Sequence, residues 1–396
     1  MNNLNSTVSA ERLHIGFFGC RNAGKSSVVN AVTGQSLAVV SDRKGTTTDP
    51  VQKAMELAAL GPVVIIDTAG FDDEGDLGSL RVAKTREALR RTDIAVLVVD
   101  GSVGLTDFDH RFLAEIRKAA LPHTICFNKL DLLENPPTPK EGEIYVSAAT
   151  GEGIEELKNA IIRLKPAAAE RPIMSDLIEA GDSVLLVIPI DASAPKGRLI
   201  LPQQLVLREV LDKGGIALCC QPSELTATLQ NLKTPPKLVI TDSQAFRTVQ
   251  EKVPEDVNLT SFSILMARHK GTLQDAIRAA EVIKDLRHGD RILIAEGCTH
   301  HRQCEDIGTV KIPMWLREYT GKDLTLDFTS GREFPESLEN YRLVIHCGGC
   351  TLNEKEMAHR LSTAKGQGVP FCNYGIFIAA VNGIVDRSTK FLPEYN

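Results

Sequence analysis

A glycine-rich segment near the start of the chain has the residue types needed to hold a phosphate. Residues 19–26 read GCRNAGKS, which fits G-x-x-x-x-G-K-[ST], and they lie between an apolar run and a helical pattern. Gly19 and Gly24 let the backbone approach a phosphate closely, while amides at the helix N-terminus direct positive charge at it. Lys25 is expected to reach the outer phosphates, and the Ser26 hydroxyl is expected to ligate magnesium.

A second motif supplies groups for the metal and the terminal phosphate. Residues 67–70 read DTAG and follow an apolar run. Asp67 can hold a magnesium ion through water, and the Gly70 amide can donate to a γ-phosphate. In the hydroxyl-rich loop 45–49 (GTTTD), Thr47 or its neighbour Thr46 is expected to complete the magnesium shell.

Two later motifs select the base. Residues 128–131 read NKLD, and a carboxylate at Asp131 can accept hydrogen bonds from the N1 and N2 edge of guanine, which adenine cannot supply. Ser147 and Ala148 follow another apolar run, where a small-residue backbone can approach guanine O6. The motifs together predict a GTP or GDP site with Mg²⁺.

Any one of these motifs alone is also explained as an ordinary turn on an α/β scaffold, whereas all five in order are not. Residues expected to act directly in GTP hydrolysis are Lys25, Thr47, Asp67 and Gly70. The full predicted nucleotide site consists of Gly19, Asn22, Ala23, Gly24, Lys25, Ser26, Ser27, Thr46, Thr47, Asp67, Gly70, Asn128, Lys129, Asp131, Ser147 and Ala148.

Alternating strand and helix patterns must position these motifs. Apolar runs at residues 14–18, 63–67, 94–100, 124–128 and 144–147 read as buried strands separated by helical stretches, which predicts a mostly parallel sheet covered on both faces. The predicted fold class is α/β, with a Ras-like P-loop domain at residues 1–165. Two smaller α/β domains are predicted at residues 175–262 and 265–396, after a Pro/Ala-rich linker.

Composition narrows the class of protein further. The 396 residues carry a net charge of −6, and the nine cysteines are an odd number scattered along the chain, which favours a reducing compartment over a disulfide scaffold. The apolar runs are too short to span a bilayer, and the first residues lack a secretory pattern. We expect a cytoplasmic protein without a nucleic-acid or membrane partner.

Cysteine and histidine residues form two clusters in the last third of the chain. Cys298 and His300 follow a predicted strand at residues 291–295, and residues 346–350 (HCGGC) follow another at 342–345. If the strands are parallel neighbours, both clusters lie at one sheet edge. The residues alone leave open a structural zinc with Cys₃His ligation or a 4Fe–4S cluster on three thiolates. Cys304 could supply a fourth thiolate or could simply lie in a helix. The remaining alternative is that the cysteines of both clusters are core residues that bind no metal.

The first 165 residues resemble the TrmE–Era-like GTPases. Asn22 matches an asparagine that helps hold a potassium ion beside the phosphates in potassium-activated members; the alternative interpretation is simple loop capping. Phe71 stands where Ras has a water-orienting glutamine, so the resemblance implies slow hydrolysis unless a cation or partner assists.

The whole chain resembles the HydF family of FeFe-hydrogenase maturation GTPases, on a GTPase domain followed by Cys-x-His and later His-Cys-x-x-Cys. The resemblance implies that Cys298, Cys347 and Cys350 hold a 4Fe–4S cluster with an exchangeable iron position, filled by His300, His346, Glu305 or an external ligand. Either histidine could instead orient a ligand. It also implies a homodimer through the middle domain, and a transient diiron precursor received from radical-SAM maturases and delivered to the apo-hydrogenase.

The rival interpretation is an RNA- or ribosome-associated GTPase with a structural zinc. Residues 265–396 contain 17 Lys and Arg against 17 Asp and Glu. A neutral domain lacks the basic face that phosphate binding requires, which weighs against this alternative.

Overall fold

The structure is a computed structural model that describes residues 11–34, 51–57, 60–68, 84–166, 171–190, 199–298, 306–331 and 333–395. Its contacts divide the chain into two compact units, Met1–Ala169 and Glu170–Asn396. Each unit is an α/β structure, as the alternation of strand and helix patterns predicts. None of the described helices combines the length and apolar character needed to cross a bilayer.

The first unit contains a six-stranded sheet in the order β2-β3-β1-β4-β5-β6. Neighbouring strands are parallel except β2, which is antiparallel to β3. The strands are β1 (Leu13–Phe18), β2 (Val51–Leu57), β3 (Gly61–Asp67), β4 (Ile94–Asp100), β5 (His123–Asn128) and β6 (Glu143–Tyr145). The prediction of a mostly parallel sheet is confirmed, and β2 is the strand that it missed.

Helices cover both faces of this sheet. They are α1 (Lys25–Thr33), α2 (residues 84–90), α3 (Asp107–Lys118) and α4 (Ile154–Arg163). One buried cluster joins α1 and α4 to alternate residues of β1, including Ile15 and Phe17, while the next residue, Phe18, packs with α2 and α3 on the opposite face. Because successive strand residues point to opposite faces, a strand apolar at every position must be covered on both sides.

The second unit contains two four-stranded parallel sheets, ordered β10-β9-β7-β8 and β12-β11-β13-β14. The first consists of β7 (Ser183–Val187), β8 (Ile216–Cys220), β9 (Leu238–Thr241) and β10 (Asn258–Ser261). The second consists of β11 (Arg291–Ala295), β12 (Thr325–Thr329), β13 (Leu343–His346) and β14 (Phe371–Asn373). One buried cluster runs through both sheets, so the two smaller predicted domains share a core; the boundary between them near residue 263 stays a prediction.

Helices connect and cover these strands. They are α5 (Leu201–Asp212), α6 (Leu225–Asn231), α7 (Phe246–Gln250), α8 (Phe262–His269), α9 (Leu273–Val282), α10 (Ile312–Thr320), α11 (Glu354–Gly366), α12 (Tyr374–Val381) and α13 (Val385–Thr389). A helix predicted over residues 272–286 is found as α9 followed by a short 3₁₀ turn, Ile283–Asp285.

A buried arginine fastens the first residues of the second unit to α8. The Arg268 side chain is 3% exposed; it pairs with Asp176 and also donates from Nε to Glu394 at 2.8 Å. Its Nη1 also donates to the backbone oxygen of Ile173 at 3.1 Å. One side chain therefore ties together three segments that are distant in sequence.

Replacing Arg268 by methionine is expected to lower the free energy of unfolding of the full chain by about 2–4 kcal/mol. Methionine keeps the apolar stem of the side chain but leaves the carboxylates of Asp176 and Glu394 without their cation. Each carboxylate is about one-third exposed, so hydration offsets part of the loss. Denaturant titration measures the change. Arg208→Met provides the control, because its ion pair with Asp212 is exposed and its loss should change stability much less; equal effects would contradict the prediction.

Candidate functional site

The phosphate-binding loop connects β1 to α1 and depends on two glycines in conformations that other residues rarely adopt. Gly19 has a φ of 150° and Gly24 a φ of 83°. A Cβ at Gly19 would lie 2.1 Å from the backbone oxygen of Val98, and one at Gly24 would lie 2.2 Å from Asn128 Nδ2. The loop can therefore pass between β4 and the base-binding motif only without these side chains.

The two side chains that are predicted to bind magnesium are hydrogen-bonded to each other. Ser26 Oγ donates to Asp67 Oδ2 at 2.7 Å, and Lys25 is buried beside them. Burial raises the pKa of Asp67, although Lys25 and the Ser26 hydrogen bond act in the opposite direction. Among the described residues, Asp67 Oδ1 is buried without a hydrogen-bond partner. A buried acceptor in that position fits a magnesium-bound water as its missing partner.

The base-binding motif is joined to the phosphate loop by Asn128 at the end of β5. Its Nδ2 donates to the backbone oxygen of Ala23 at 3.0 Å, and its Oδ1 accepts from the Ala148 amide at 3.0 Å. Asn128 thus bridges the phosphate loop and the guanine loop, while the sequence could predict only that it belonged to the pocket.

The other base-binding residues are held by polar contacts. Lys129 has a φ of 68° and its Nζ contacts Asp100 Oδ2 at 2.5 Å. Ser147 Oγ donates to Asp131 Oδ1 at 2.5 Å, which orients the exposed carboxylate that is expected to meet the guanine edge. Asp100 is a positioning partner that the motif itself does not reveal.

Several predicted nucleotide contacts stay predictions. Asn22 is exposed and has a φ of 62° in the phosphate loop, and Ser27 lies in the first turn of α1. The loop conformation neither requires nor excludes a bound potassium ion. The predicted switch and catalytic residues Thr46, Thr47 and Gly70, together with Phe71, lie outside the described residues.

The two cysteine clusters lie at one edge of the second four-stranded sheet. β11 and β13 are parallel neighbours, with Ala295 opposite His346, which confirms the arrangement that the sequence left conditional. The Gly297 amide donates to Cys347 Sγ at 3.0 Å, and the Gly349 amide lies 3.4 Å from the same sulfur. The two motifs, about fifty residues apart in sequence, therefore meet directly.

The surroundings of the cysteines are buried and shaped by glycine. Gly349 has a φ of 62°, and a Cβ there would lie 2.5 Å from Met357 Sδ. Burial raises the pKa of Cys350 to about 12, with the buried Lys270 opposing it, and burial also raises the pKa values of Cys298 and Cys347. The raised pKa values favour the neutral thiol form of all three cysteines.

Both ring nitrogens of His346 have hydrogen-bond partners within the protein. Nδ1 lies 2.7 Å from the Cys347 backbone oxygen, and Nε2 lies 3.0 Å from Arg360 Nη1. Burial and the Arg360 guanidinium lower the pKa of His346 to about 3, so the ring is neutral, with Nδ1 donating and Nε2 accepting. This arrangement favours the orienting role over direct ligation.

Arg360 and Glu296 are site residues that the sequence analysis missed. Arg360 is fully buried and also donates to Gly331 O at 2.8 Å, and Glu296 is buried with its Oε1 3.4 Å from Tyr374 Oη. A charged residue directly after an apolar strand was the available signal for Glu296.

His300, Cys304 and Glu305 lie outside the described residues. Across the part of the chain that the structure describes, no three His, Cys, Asp or Glu side chains form a site for a single metal ion.

The fold of the first unit and its pocket define a P-loop GTPase that binds GTP or GDP with Mg²⁺ and hydrolyses GTP. The model of the 50S ribosome-binding GTPase family matches residues 14–129. Models of the hydrogen maturase F dimerization and tetramerization domains match residues 173–271 and 274–391. The chain belongs to the hydrogen maturase F (HydF) family of hydrogenase maturation GTPases, and it self-associates as those domains do.

Individual relatives align with part of the chain. The tRNA modification GTPase MnmE of Nitrosomonas europaea is 35% identical over 158 residues, covering 39% of this chain and 35% of that protein. MnmE of Moorella thermoacetica is 34% identical over 162 residues, covering 38% and 34%. The chain thus spans little more than a third of these curated relatives. Among solved structures, Aquifex aeolicus Era with GDP and AlF₄⁻ has a TM-score of 0.35 and 16% identity, with 52% of this chain and 92% of that chain covered.

Proposed function

We propose that this GTPase is a scaffold and carrier for assembly of the diiron subcluster of FeFe-hydrogenase, and that Cys298, Cys347 and Cys350 hold a 4Fe–4S cluster. The observation that carries the proposal is the contact between the Gly297 amide and Cys347 Sγ, because it joins both cysteine motifs at one sheet edge. Amide donors to thiolate sulfur are a common feature of iron–sulfur sites.

The donor set fits the proposed cluster. Cys298 follows β11 and Cys347 and Cys350 follow its parallel neighbour β13, and glycines allow the backbone to turn tightly there. A 4Fe–4S cluster binds each thiolate to a different iron, so its ligands stand farther apart than those of a single zinc ion. When bound, the cluster would supply an iron position open to exchangeable ligands. His300 or Glu305 is proposed to occupy that position between deliveries.

Residues of the chain would prepare this site in three ways. The Gly297 and Gly349 amides stabilise negative charge on Cys347, and the buried surroundings exclude water. Arg360 fixes the neutral His346 ring, which in turn holds the Cys347 backbone through its oxygen.

The carried substrate is proposed to be a diiron precursor, received from radical-SAM maturases and passed to the apo-hydrogenase.

Self-association is proposed to use the middle domain for a homodimer and the C-terminal domain for a four-chain assembly. Strand β8 lies at the edge of its sheet and exposes Ile216, and Leu211 at the end of α5 is similarly exposed. An exposed apolar strand edge is typical of a surface that pairs with another chain. The dimer is proposed to form there.

Anaerobic reconstitution of the full chain with iron and sulfide tests the cluster proposal. We expect a brown protein with about four irons per chain and an electron paramagnetic resonance signal after reduction. A colourless product that holds one tightly bound zinc ion and no iron would instead support the RNA- or ribosome-associated GTPase with a structural zinc, and would reject the scaffold.

Replacement of potassium by sodium is expected to slow GTP hydrolysis, because a cation beside Asn22 would supply charge that Phe71 cannot provide. The measurement compares initial phosphate-release rates at equal ionic strength, and Asn22→Ala should abolish the difference between the two salts. Equal rates of the unmodified protein in both salts would remove the proposed role of Asn22.

A further inference from the structure

An apolar groove lies on the second unit between α10 and the edge strand β12. It has a volume of about 620 Å³ and is partly open to solvent. Three of its apolar residues are exposed: Val310 by 43%, Met314 by 44% and Phe328 by 37%. Its apolar wall consists of Val310, Pro313, Met314, Leu324, Leu326 and Phe328. Contiguous exposed apolar surface of this kind marks an interaction site more often than isolated exposed residues do.

The strand that forms one wall has an unpaired edge. β12 pairs only with β11 within the described residues, so its outer backbone groups face away from the sheet. The carboxylate of Asp327 forms an ion pair with Arg291 on the paired strand β11, with Nε and Oδ2 2.5 Å apart. An edge that carries Leu326 and Phe328 beside free backbone groups is suited to contact with another polypeptide.

Two charged side chains at the rim point to an identical partner. Arg317 and Glu318 are consecutive, exposed residues of α10 that line the groove, and neither has an ion-pair partner among the described residues. In a contact about a twofold axis, a residue away from the axis meets a different residue of the same patch on the other copy. A patch with one cation and one anion beside an apolar strip is complementary to itself.

The groove also lies wholly within the segment that matches the tetramerization-domain model, residues 274–391. On these grounds, and resting on the four-chain assembly proposed above, we infer that the groove between α10 and β12 binds the same groove of a second copy. The contact is isologous: apolar side chains fill both grooves, and Arg317 of each chain pairs with Glu318 of the other.

Met314→Glu and Phe328→Glu, each in the full chain, test the inference. Sedimentation velocity is expected to show four chains for the unmodified protein and two for each variant, because a charge buried in the contact weakens it by more than about 100-fold. Val103→Glu is the matched control: Val103 is 69% exposed in the first unit, and its variant should keep four chains. GTP hydrolysis should be unchanged in all three.

A charge exchange separates an identical partner from a different one. Arg317→Glu and Glu318→Arg should each weaken the four-chain assembly, and the double variant should restore it to within about threefold of the unmodified protein. Absence of restoration would overturn the isologous contact. Groove variants that keep four chains but lose affinity for apo-hydrogenase would assign the groove to that partner and overturn the inference. An unmodified protein that never exceeds two chains would overturn both the groove and the proposed assembly, whereas iron content tests the cluster separately.

Discussion

Replacing Cys347 by serine is expected to abolish cluster loading while leaving GTP hydrolysis largely intact. Cys347 is the cysteine on which the Gly297 and Gly349 amides converge. A neutral hydroxyl is a far poorer ligand for iron than a thiolate. Because loss of a mere outer-shell partner weakens metal binding by about 10–100-fold, loss of a ligand should reduce iron content at least about 10-fold.

The measurement is iron and sulfide per chain after anaerobic reconstitution, combined with electron paramagnetic resonance. Cys372→Ser is the matched control, because Cys372 lies buried on the neighbouring strand β14 and its thiol donates to the backbone oxygens of Ala276 and Asn373. Cys298→Ser and Cys350→Ser should behave like Cys347→Ser. Equal iron loss in the Cys372 variant would indicate a general disturbance of the sheet, and full iron retention in the Cys347 variant would refute the assigned ligand.

The second large effect is expected from Asp131→Asn, which should convert the preferred nucleotide from guanine to xanthine. The Asp131 carboxylate is held by Ser147 Oγ at 2.5 Å and is expected to accept two hydrogen bonds from guanine. Each hydrogen bond to a charged group contributes about 1.5–3 kcal/mol, so losing both should weaken GTP binding by about 10²–10⁴-fold. An asparagine amide presents a donor to the O2 oxygen of xanthine, which should restore binding to XTP.

Equilibrium binding of GTP and XTP to both proteins measures this exchange. Glu134→Gln removes an exposed carboxyl charge three residues away and should leave both affinities unchanged. If the Asp131 variant binds GTP as tightly as the unmodified protein, Asp131 does not contact the base. If it binds neither nucleotide, the loop containing Ser147 and Ala148 has lost its structure, and circular dichroism and thermal unfolding would detect that change.

The sequence by itself determined the nucleotide pocket, the alternation of strands and helices, and the placement of the cysteines beyond two strands. These features are local, because a phosphate loop needs its glycines and its lysine within eight residues, and a fully buried strand must be apolar at successive positions. The antiparallel strand β2 escaped prediction because its residues, VQKAMEL, mix charged and apolar types without a clear period.

Only the tertiary structure decided how distant residues complete these sites. Asn128 bridges Ala23 and Ala148, and Arg360 donates a hydrogen bond to Nε2 of His346. Such pairings depend on which strands are neighbours and on how helices pack over them, which no local pattern encodes. The same holds for the groove at β12: Met314 and Phe328 have the residue types of a protein core, and only the packing of α10 shows that the chain leaves them uncovered.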